Sequence, residues 1–170
     1  MFPLVHPLTL LWAASVAAAT AVVSVPHALD PTVCDALAAK ARSIVGADGR
    51  GQLAVSPEAA ELFVALGLTT TAVHEVNVRI EGDVDRWGVH VDRPLPGTPP
   101  EFEQTSIIYL TGGTGGLMFP DENMSVPFTK GGLVTFPAGV RHGVSEGSGA
   151  RVMLGPFSET MTEVGGGQTT

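Results

Sequence analysis

The second half of the chain is a series of short apolar segments, rich in β-branched residues and separated by turns. Clear examples are residues 70–80, 105–111, 133–136 and 151–157, each bordered closely by glycine or proline. The 170 residues include 21 glycines and 13 prolines, enough to supply a turn at most junctions. Short strands with turn signals between them are typical of an antiparallel sandwich or barrel. The sequence therefore predicts a mainly β domain.

Two amphipathic helices are predicted before these strands, over residues 30–46 and 56–67. Each begins with Asp or Ser followed directly by proline. Asp and Ser side chains accept hydrogen bonds from the first free N–H groups of a helix, and proline fits the first helical position. The apolar stripe on each helix predicts that it packs against a sheet. Residues 46–52, between the helices, are predicted to be a turn-rich loop.

The charge and the cysteine content exclude several classes of function. With 9 basic and 17 acidic residues, the formal net charge is −8. Nucleic acids and anionic membrane surfaces repel such a protein, so neither is expected as its main partner. The single cysteine, Cys34, excludes an internal disulfide and a thiolate metal cluster. Its position in an alanine-rich predicted helix indicates a small core residue.

The N-terminus is unusually apolar, and three interpretations of it stay open. Residues 1–29 contain no Asp, Glu, Lys or Arg, and residues 8–25 are almost wholly apolar. A signal peptide needs a positively charged start, whereas the first basic residue here is Lys40. A membrane anchor needs about 20 apolar residues, so this run is marginal. The third interpretation is a buried helix over residues 8–19, followed by a strand over residues 21–25.

The chain is predicted to contain one domain, over residues 21–160. This length can bury a sizeable core, and no internal repeat or linker interrupts it. Residues 1–20 form the separate apolar segment (helix, signal or anchor), and the glycine-rich residues 161–170 are predicted to be a flexible tail. The absence of a basic start slightly favours the cytoplasm. Secretion, or membrane attachment through residues 8–25, would follow from the other two interpretations.

Two histidines and an aspartate have the spacing of a metal site. His90 and Asp92 lie at the end of a predicted short strand, residues 86–91, and alternate residues of a strand share a face. His142 follows another predicted strand and can supply a third ligand from across the sheet. Two imidazoles and one carboxylate leave coordination positions open, as in non-haem Fe(II) oxygenases. A His-x-Asp pair alone is weak evidence, because such pairs also occur on ordinary surfaces.

The order of motifs around this triad resembles a known family. The motifs are HVD at residues 90–92, SIIYLT at 106–111, GGLMF at 115–119, VP at 126–127, KGGLVTF at 130–136, His142, and GAR at 149–151. Together they resemble the iron(II)- and 2-oxoglutarate-dependent dioxygenases, particularly the prolyl-hydroxylase-like branch. The resemblance covers roughly residues 22–157. It implies a double-stranded β-helix core (jelly-roll, cupin-like) with flanking helices.

The resemblance also implies roles for five residues. His90, Asp92 and His142 would be the Fe(II) ligands. Arg151 would pair with the distal carboxylate of 2-oxoglutarate, since a guanidinium suits bidentate recognition better than an ammonium. Tyr109 would offer its hydroxyl to the same carboxylate. The collagen-type prolyl hydroxylases carry lysine in place of this arginine, so the chain departs from them there.

The implied reaction is hydroxylation of an unactivated C–H bond, with dioxygen consumed, succinate and CO2 released, and ascorbate as an accessory reductant. Asp92 favours hydroxylation over halogenation, because halogenases of this fold replace that carboxylate with a small residue. Some members of the family have Ser or Thr beside the co-substrate at the position of Met153. Methionine has no hydroxyl, and this hydrogen bond to the co-substrate is therefore expected to be missing. A peptidyl residue, a free amino acid and a small metabolite all remain open as the substrate.

Two other functions compete with this hypothesis. A cupin-type metal enzyme usually carries a further histidine or glutamate a few residues after the first ligand pair, and none follows Asp92 before Glu101. A non-catalytic binding module that keeps the fold would be expected to lose a ligand or the arginine. The remaining histidines have no partner at ligand spacing and are predicted to be structural or on the surface; they are His6, His27 and His74.

Overall fold

The computed structural model describes residues 22–45, 51–54, 57–64, 66, 70–79, 88–92, 104–145 and 150–159. These residues form nine strands and two helices. In chain order the elements are β1 (Val23–Val25), α1 (Pro31–Val45), β2 (Gly51–Ala54), α2 (Pro57–Val64), β3 (Thr70–Arg79), β4 (Gln104–Tyr109), β5 (Gly116–Phe119), β6 (Met124–Pro127), β7 (Leu133–Pro137), β8 (Gly143–Val144) and β9 (Arg151–Glu159).

The strands form two sheets. The larger has six strands in the order β1-β7-β4-β9-β3-β2, and the smaller has three in the order β6-β5-β8. The paired strands in both sheets run antiparallel. An antiparallel bridge between His90 and His142 adds a further segment beside β8. The predicted fold class, a mainly β jelly-roll core with flanking helices, is confirmed.

Apolar side chains from both sheets meet in an interior cluster. Because side chains alternate along a strand, β4 and β7 each send every second residue between the sheets. The buried members are Ile107, Tyr109, Leu117, Phe119, Val126, Phe128, Val134 and Phe136. The rings of Phe119 and Phe136 meet edge to face with centroids 5.1 Å apart, which is a favourable aromatic geometry. This cluster joins the two sheets.

The other face of the larger sheet is covered by α1 and α2. Both helices pack against β3, and their buried side chains share one apolar cluster with Val78 of β3 and with residues of β4 and β9, as the apolar stripes predict. This outer cluster contains Ile108 and Leu110 together with Val152 and Leu154, on the face of the sheet that α1 covers. Cys34 is fully buried there, as predicted, and burial raises the pKa of its thiol.

The start of α1 is fixed by its cap and by a close contact with Gly131, in the turn that precedes β7. The backbone N–H of Thr32 donates to Asp30 Oδ1 over 2.7 Å, and the Thr32 hydroxyl donates to the same oxygen. These hydrogen bonds lower the pKa of the Asp30 carboxyl. Leu29 N–H donates to the Gly131 carbonyl over 3.0 Å. Gly131 has φ of 78°, which favours glycine.

Two local predictions differ from the structure. Within residues 46–52, predicted as a loop, Gly51 begins β2, which pairs antiparallel with β3 from Gly51↔Val78 to Ala54↔Glu75. This strand lies at the sheet edge, where hydrogen bonds to one neighbour suffice and little apolar patterning is needed. The predicted strand over residues 86–91 is also reduced: within the described residues 88–92, pairing is limited to the single bridge at His90.

The end of the apolar N-terminal run belongs to the larger sheet. Val23–Val25 form β1 and pair with residues 133–135 of β7. The candidate helix over residues 8–19 lies outside the described residues, as do residues 161–170. Within the described part of the chain, no helix has the length and apolar character needed to cross a membrane.

Candidate metal centre

Three side chains meet at one place next to β8 of the smaller sheet. One ligand atom from each of His90, Asp92 and His142 lies within 4.8 Å of the other two. Asp92 Oδ1 is 3.8 Å from His90 Nε2 and 3.7 Å from His142 Nε2. Two ligand atoms that each bind one ion at about 2.1 Å can be up to about 4.2 Å apart. The aspartate can therefore share a single metal ion with either histidine.

Strand pairing brings the two histidines together. His90 N–H donates to the His142 carbonyl, and His142 N–H donates to the His90 carbonyl, each over 2.8 Å. Side chains directly opposite in such a pair project to the same face, so the imidazole centroids are 4.5 Å apart. A Cβ atom on Gly143 would come within 3.3 Å of the Val89 backbone. Glycine thus permits the close approach of the two segments.

Backbone carbonyls set the orientation of both imidazoles. His90 Nδ1 lies 2.7 Å from the Gly88 carbonyl oxygen, and His142 Nδ1 lies 3.0 Å from the Val140 carbonyl oxygen. A carbonyl can only accept, so in the neutral form of each imidazole Nδ1 carries the proton and Nε2 offers a lone pair. Each imidazole is thus held by the same kind of contact, with its Nε2 atom 3.8 Å (His90) or 3.7 Å (His142) from Asp92 Oδ1.

The carboxylate of Asp92 is oriented by Thr105. The Thr105 hydroxyl donates to Asp92 Oδ2 over 2.7 Å, while Oδ1 faces the histidines. Thr105 is buried in β4, on the same face as Ile107 and Tyr109. No motif in the sequence singles out this threonine. Strand alternation counted back from Tyr109 would have placed it in the interior, although not against Asp92.

Aromatic side chains enclose one side of the triad. The ring of His142 lies 4.6 Å from that of Phe136 and 6.2 Å from that of Phe119. The side chain of His142 is 5% exposed, whereas those of His90 and Asp92 are 35% and 22% exposed. Water is therefore excluded behind His142, and a ligand can approach from the side of His90 and Asp92.

The predicted co-substrate residues lie in the same interior cluster. Arg151 begins β9, is buried, and places its guanidinium carbon 4.6 Å from the centroid of the Phe128 ring. The ring of Tyr109, also buried, lies 5.0 Å from that of Phe128. A guanidinium stacked on an aromatic ring keeps its planar fork of donors for bidentate recognition of a carboxylate.

Among the side chains that the structure describes, the only other histidine is His27, and it is not part of the triad. His27 is exposed, as expected for a surface residue. His74 lies in β3, where its backbone pairs with that of Phe157 in β9. His6 lies outside the described residues.

Comparisons with known proteins show where this fold occurs. No protein-family model and no curated protein matches the sequence. A Pseudomonas putida prolyl-4-hydroxylase matches with a TM-score of 0.61 and 18% identity, over 85% of this chain and 95% of that one. The viral collagen prolyl hydroxylase vCPH from Paramecium bursaria Chlorella virus-1, solved as a 2OG complex, matches with a TM-score of 0.56 and 15% identity, over 82% and 96%.

A third solved structure extends the likeness beyond proteins named as prolyl hydroxylases. AviO1 from Streptomyces viridochromogenes Tue57 matches with a TM-score of 0.53 and 16% identity, over 84% of this chain and 92% of that one. At these low identities the likeness concerns the fold. The chain thus has the fold of these proteins over most of its length, with His90, Asp92 and His142 gathered next to β8 of the smaller sheet.

Proposed function

We propose that this chain is an Fe(II)- and 2-oxoglutarate-dependent dioxygenase that hydroxylates a C–H bond and releases succinate and CO2. The observation that carries the proposal is the meeting of His90, Asp92 and His142, with ligand atoms within 4.8 Å. Two imidazoles and one carboxylate are the donor set of non-haem Fe(II) oxygenases. The fold shared with solved prolyl hydroxylases supports the same chemistry.

In this proposal His90 and His142 bind iron through Nε2, and Asp92 binds it through Oδ1. The carbonyls of Gly88 and Val140 keep the imidazoles in the required tautomer. Three protein ligands leave positions for exchangeable ligands. The bound iron would supply the redox chemistry and the activation of dioxygen, which side chains cannot perform by themselves.

The proposal assigns 2-oxoglutarate binding to Arg151 and Tyr109. Both side chains contact Phe128 in the interior cluster, which extends to the aromatic wall beside His142. The buried guanidinium would pair with the distal carboxylate through two N–H groups, and the Tyr109 hydroxyl would donate to the same group. The surrounding apolar side chains exclude water, which strengthens this charge pairing.

The substrate is proposed as a peptidyl residue, a free amino acid or a small metabolite. Two of the structural neighbours are named as prolyl hydroxylases, so prolyl peptides are the first compounds to test. A panel of prolyl peptides, amino acids and small metabolites should contain a compound that stimulates succinate release. Mass spectrometry of that compound should then show the gain of one oxygen atom.

The basic reaction can be tested before the substrate is known. Purified protein supplied with Fe(II), ascorbate, dioxygen and 2-oxoglutarate should release succinate. His142→Ala should abolish this release, because it removes a ligand that is held between Phe136 and His90. His27→Ala changes an exposed histidine outside the triad and serves as the matched control. Equal succinate release by His142→Ala and the wild type would contradict the proposal.

The same assay separates the competing functions. A cupin-type metal enzyme would bind a metal through His90, Asp92 and His142 without consuming 2-oxoglutarate. A non-catalytic binding module would release no succinate under any condition. Consumption of 2-oxoglutarate that depends on both Fe(II) and His142 is the result expected from the proposal.

A further inference from the structure

We propose that Thr105 is a positioning residue that limits Asp92 to coordination through one oxygen. The inference rests on the proposed function only for the presence of a metal at His90, Asp92 and His142. Its basis is that the two carboxylate oxygens of Asp92 have different neighbours. Oδ2 accepts the Thr105 hydroxyl over 2.7 Å, whereas Oδ1 lies 3.8 Å and 3.7 Å from the two Nε2 atoms.

The support given by Thr105 is rigid because of its position in the sheet. Thr105 pairs with Phe136 of β7 in the register between β4 and β7, and both side chains are buried. A β-branched side chain has few rotamers, so the hydroxyl is held in one direction. Phe136 also contacts the ring of His142. One cross-strand pair therefore supports Asp92 and His142 together.

One-oxygen binding matters because each carboxylate oxygen that reaches the metal occupies a coordination position. Without the Thr105 hydroxyl, the Asp92 carboxylate can rotate so that Oδ2 also turns toward the metal. It can equally turn away from the histidines, which would weaken metal binding. Either movement changes the metal's surroundings while leaving the three ligand residues in place. Loss of a hydrogen-bond partner that supports a ligand typically lowers metal affinity or activity about 10- to 100-fold.

The test compares two deletions of the hydroxyl with one variant that retains it. Thr105→Val keeps the shape of the buried side chain, and Thr105→Ala adds no new atom. Both should shift the Co(II) affinity by about 10-fold in a titration without 2-oxoglutarate. The affinity should rise if Oδ2 also reaches the metal and fall if the carboxylate turns away. Both should also alter the visible absorption of the bound Co(II), which reports its ligand geometry. Thr105→Ser keeps the hydroxyl and should restore most of the affinity and the spectrum.

Ser106→Ala is the matched control, because Ser106 is the next residue of β4 and points to the opposite face. Its buried hydroxyl lies 3.0 Å from the Thr135 hydroxyl, away from Asp92. This variant should bind Co(II) with the wild-type affinity and spectrum. Thermal melting of each metal-free variant verifies that it is folded. If Thr105→Val is not folded, the comparison uses Thr105→Ala.

The outcomes separate this inference from the proposed function. Wild-type protein that does not bind Co(II) would refute the metal centre itself. Wild-type binding with unchanged affinity and spectrum in a folded Thr105→Val or Thr105→Ala protein would refute the role of Thr105 alone. An equal loss in Thr105→Ser would also refute it, because the effect would then not depend on the hydroxyl.

Discussion

At the scale of single residues, each ligand of the candidate metal centre has a hydrogen-bond partner at its side chain. Backbone carbonyls orient the two histidines, and the Thr105 hydroxyl orients Asp92. These contacts accompany ligand atoms that lie within 4.8 Å of one another. Preorganisation of this kind means that little side-chain freedom remains to be lost on binding.

The nature of residue 151 should decide the affinity for 2-oxoglutarate. Arg151→Lys keeps one positive charge but loses the planar fork, which a bidentate carboxylate pair requires. We expect the KM for 2-oxoglutarate to rise about 10-fold or more, equivalent to about 1.4 kcal/mol per factor of ten. Succinate release measured over a range of 2-oxoglutarate concentrations gives this value.

Metal binding provides the control for the Arg151 variant. Arg151 contacts Phe128 and is not one of the candidate ligands, so Co(II) affinity in Arg151→Lys should equal that of the wild type. An unchanged KM for 2-oxoglutarate would contradict the co-substrate role of this arginine.

At the scale of elements, the larger sheet separates two apolar clusters with different tasks. On one face, α1 and α2 pack against β3, α1 also packs against β9, and together with residues of β4 they form the outer cluster. On the other face, the side chains of three alternate residues of β4 point toward the smaller sheet: Thr105, Ile107 and Tyr109. One strand thus supports Asp92 at one end and places Tyr109 near Phe128 at the other. A change in the register of β4 would disturb both regions.

The contact between α1 and the barrel should depend on Gly131. A Cβ atom at this position would lie 2.5 Å from the Leu29 carbonyl oxygen, and φ is 78°. The left-handed conformation alone costs about 1–2 kcal/mol for an L-residue. Gly131→Ala should therefore lower the free energy of unfolding by more than about 1 kcal/mol. Urea denaturation followed by circular dichroism measures this change.

Gly139→Ala is the matched control for that experiment. A Cβ atom on Gly139 would meet nothing within 4 Å, and its φ is not in the left-handed region. Its free energy of unfolding should stay within about 0.5 kcal/mol of the wild type, the usual range for neutral surface changes. Equal stability of the two variants would show that α1 can shift away from Gly131 without cost.

At the scale of the whole molecule, the candidate metal centre joins parts of the chain that are distant in sequence. His90 and His142 meet across a strand bridge, and Thr105 reaches Asp92 from the larger sheet. Since the unfolded chain cannot hold this arrangement, a metal that binds it should stabilise the folded state. The folding of the barrel and the binding of the metal are therefore expected to be coupled.

This coupling predicts a metal-dependent melting temperature. A metal present at 100 times its Kd should add about 2.7 kcal/mol to the stability of the folded state. Mn(II), which takes no part in turnover, should therefore raise the Tm measured by differential scanning fluorimetry, and EDTA should reverse the change. His142→Ala should show no such rise. A rise of equal size in that variant would place the bound metal elsewhere on the protein.

The sequence by itself determined the features that depend on local spacing. Alternation along strands predicted the mainly β core and placed His90 and Asp92 on one face. The Asp-Pro and Ser-Pro pairs predicted the starts of α1 and α2 within a residue. The sequence predicts these features because each has a local physical cause. A helix cap depends on one hydrogen bond, and a strand on its alternation, and both involve only a few neighbouring residues.

Only the tertiary structure decided which distant residues face each other. The pairing of His90 with His142, the hydrogen bond from Thr105 to Asp92, and the edge strand β2 all depend on the register between separate segments. Register is set by the packing of whole sheets and not by the residues of one strand. The sequence could therefore name the ligands of the proposed metal centre, whereas the residue that positions Asp92 became visible only in the folded barrel.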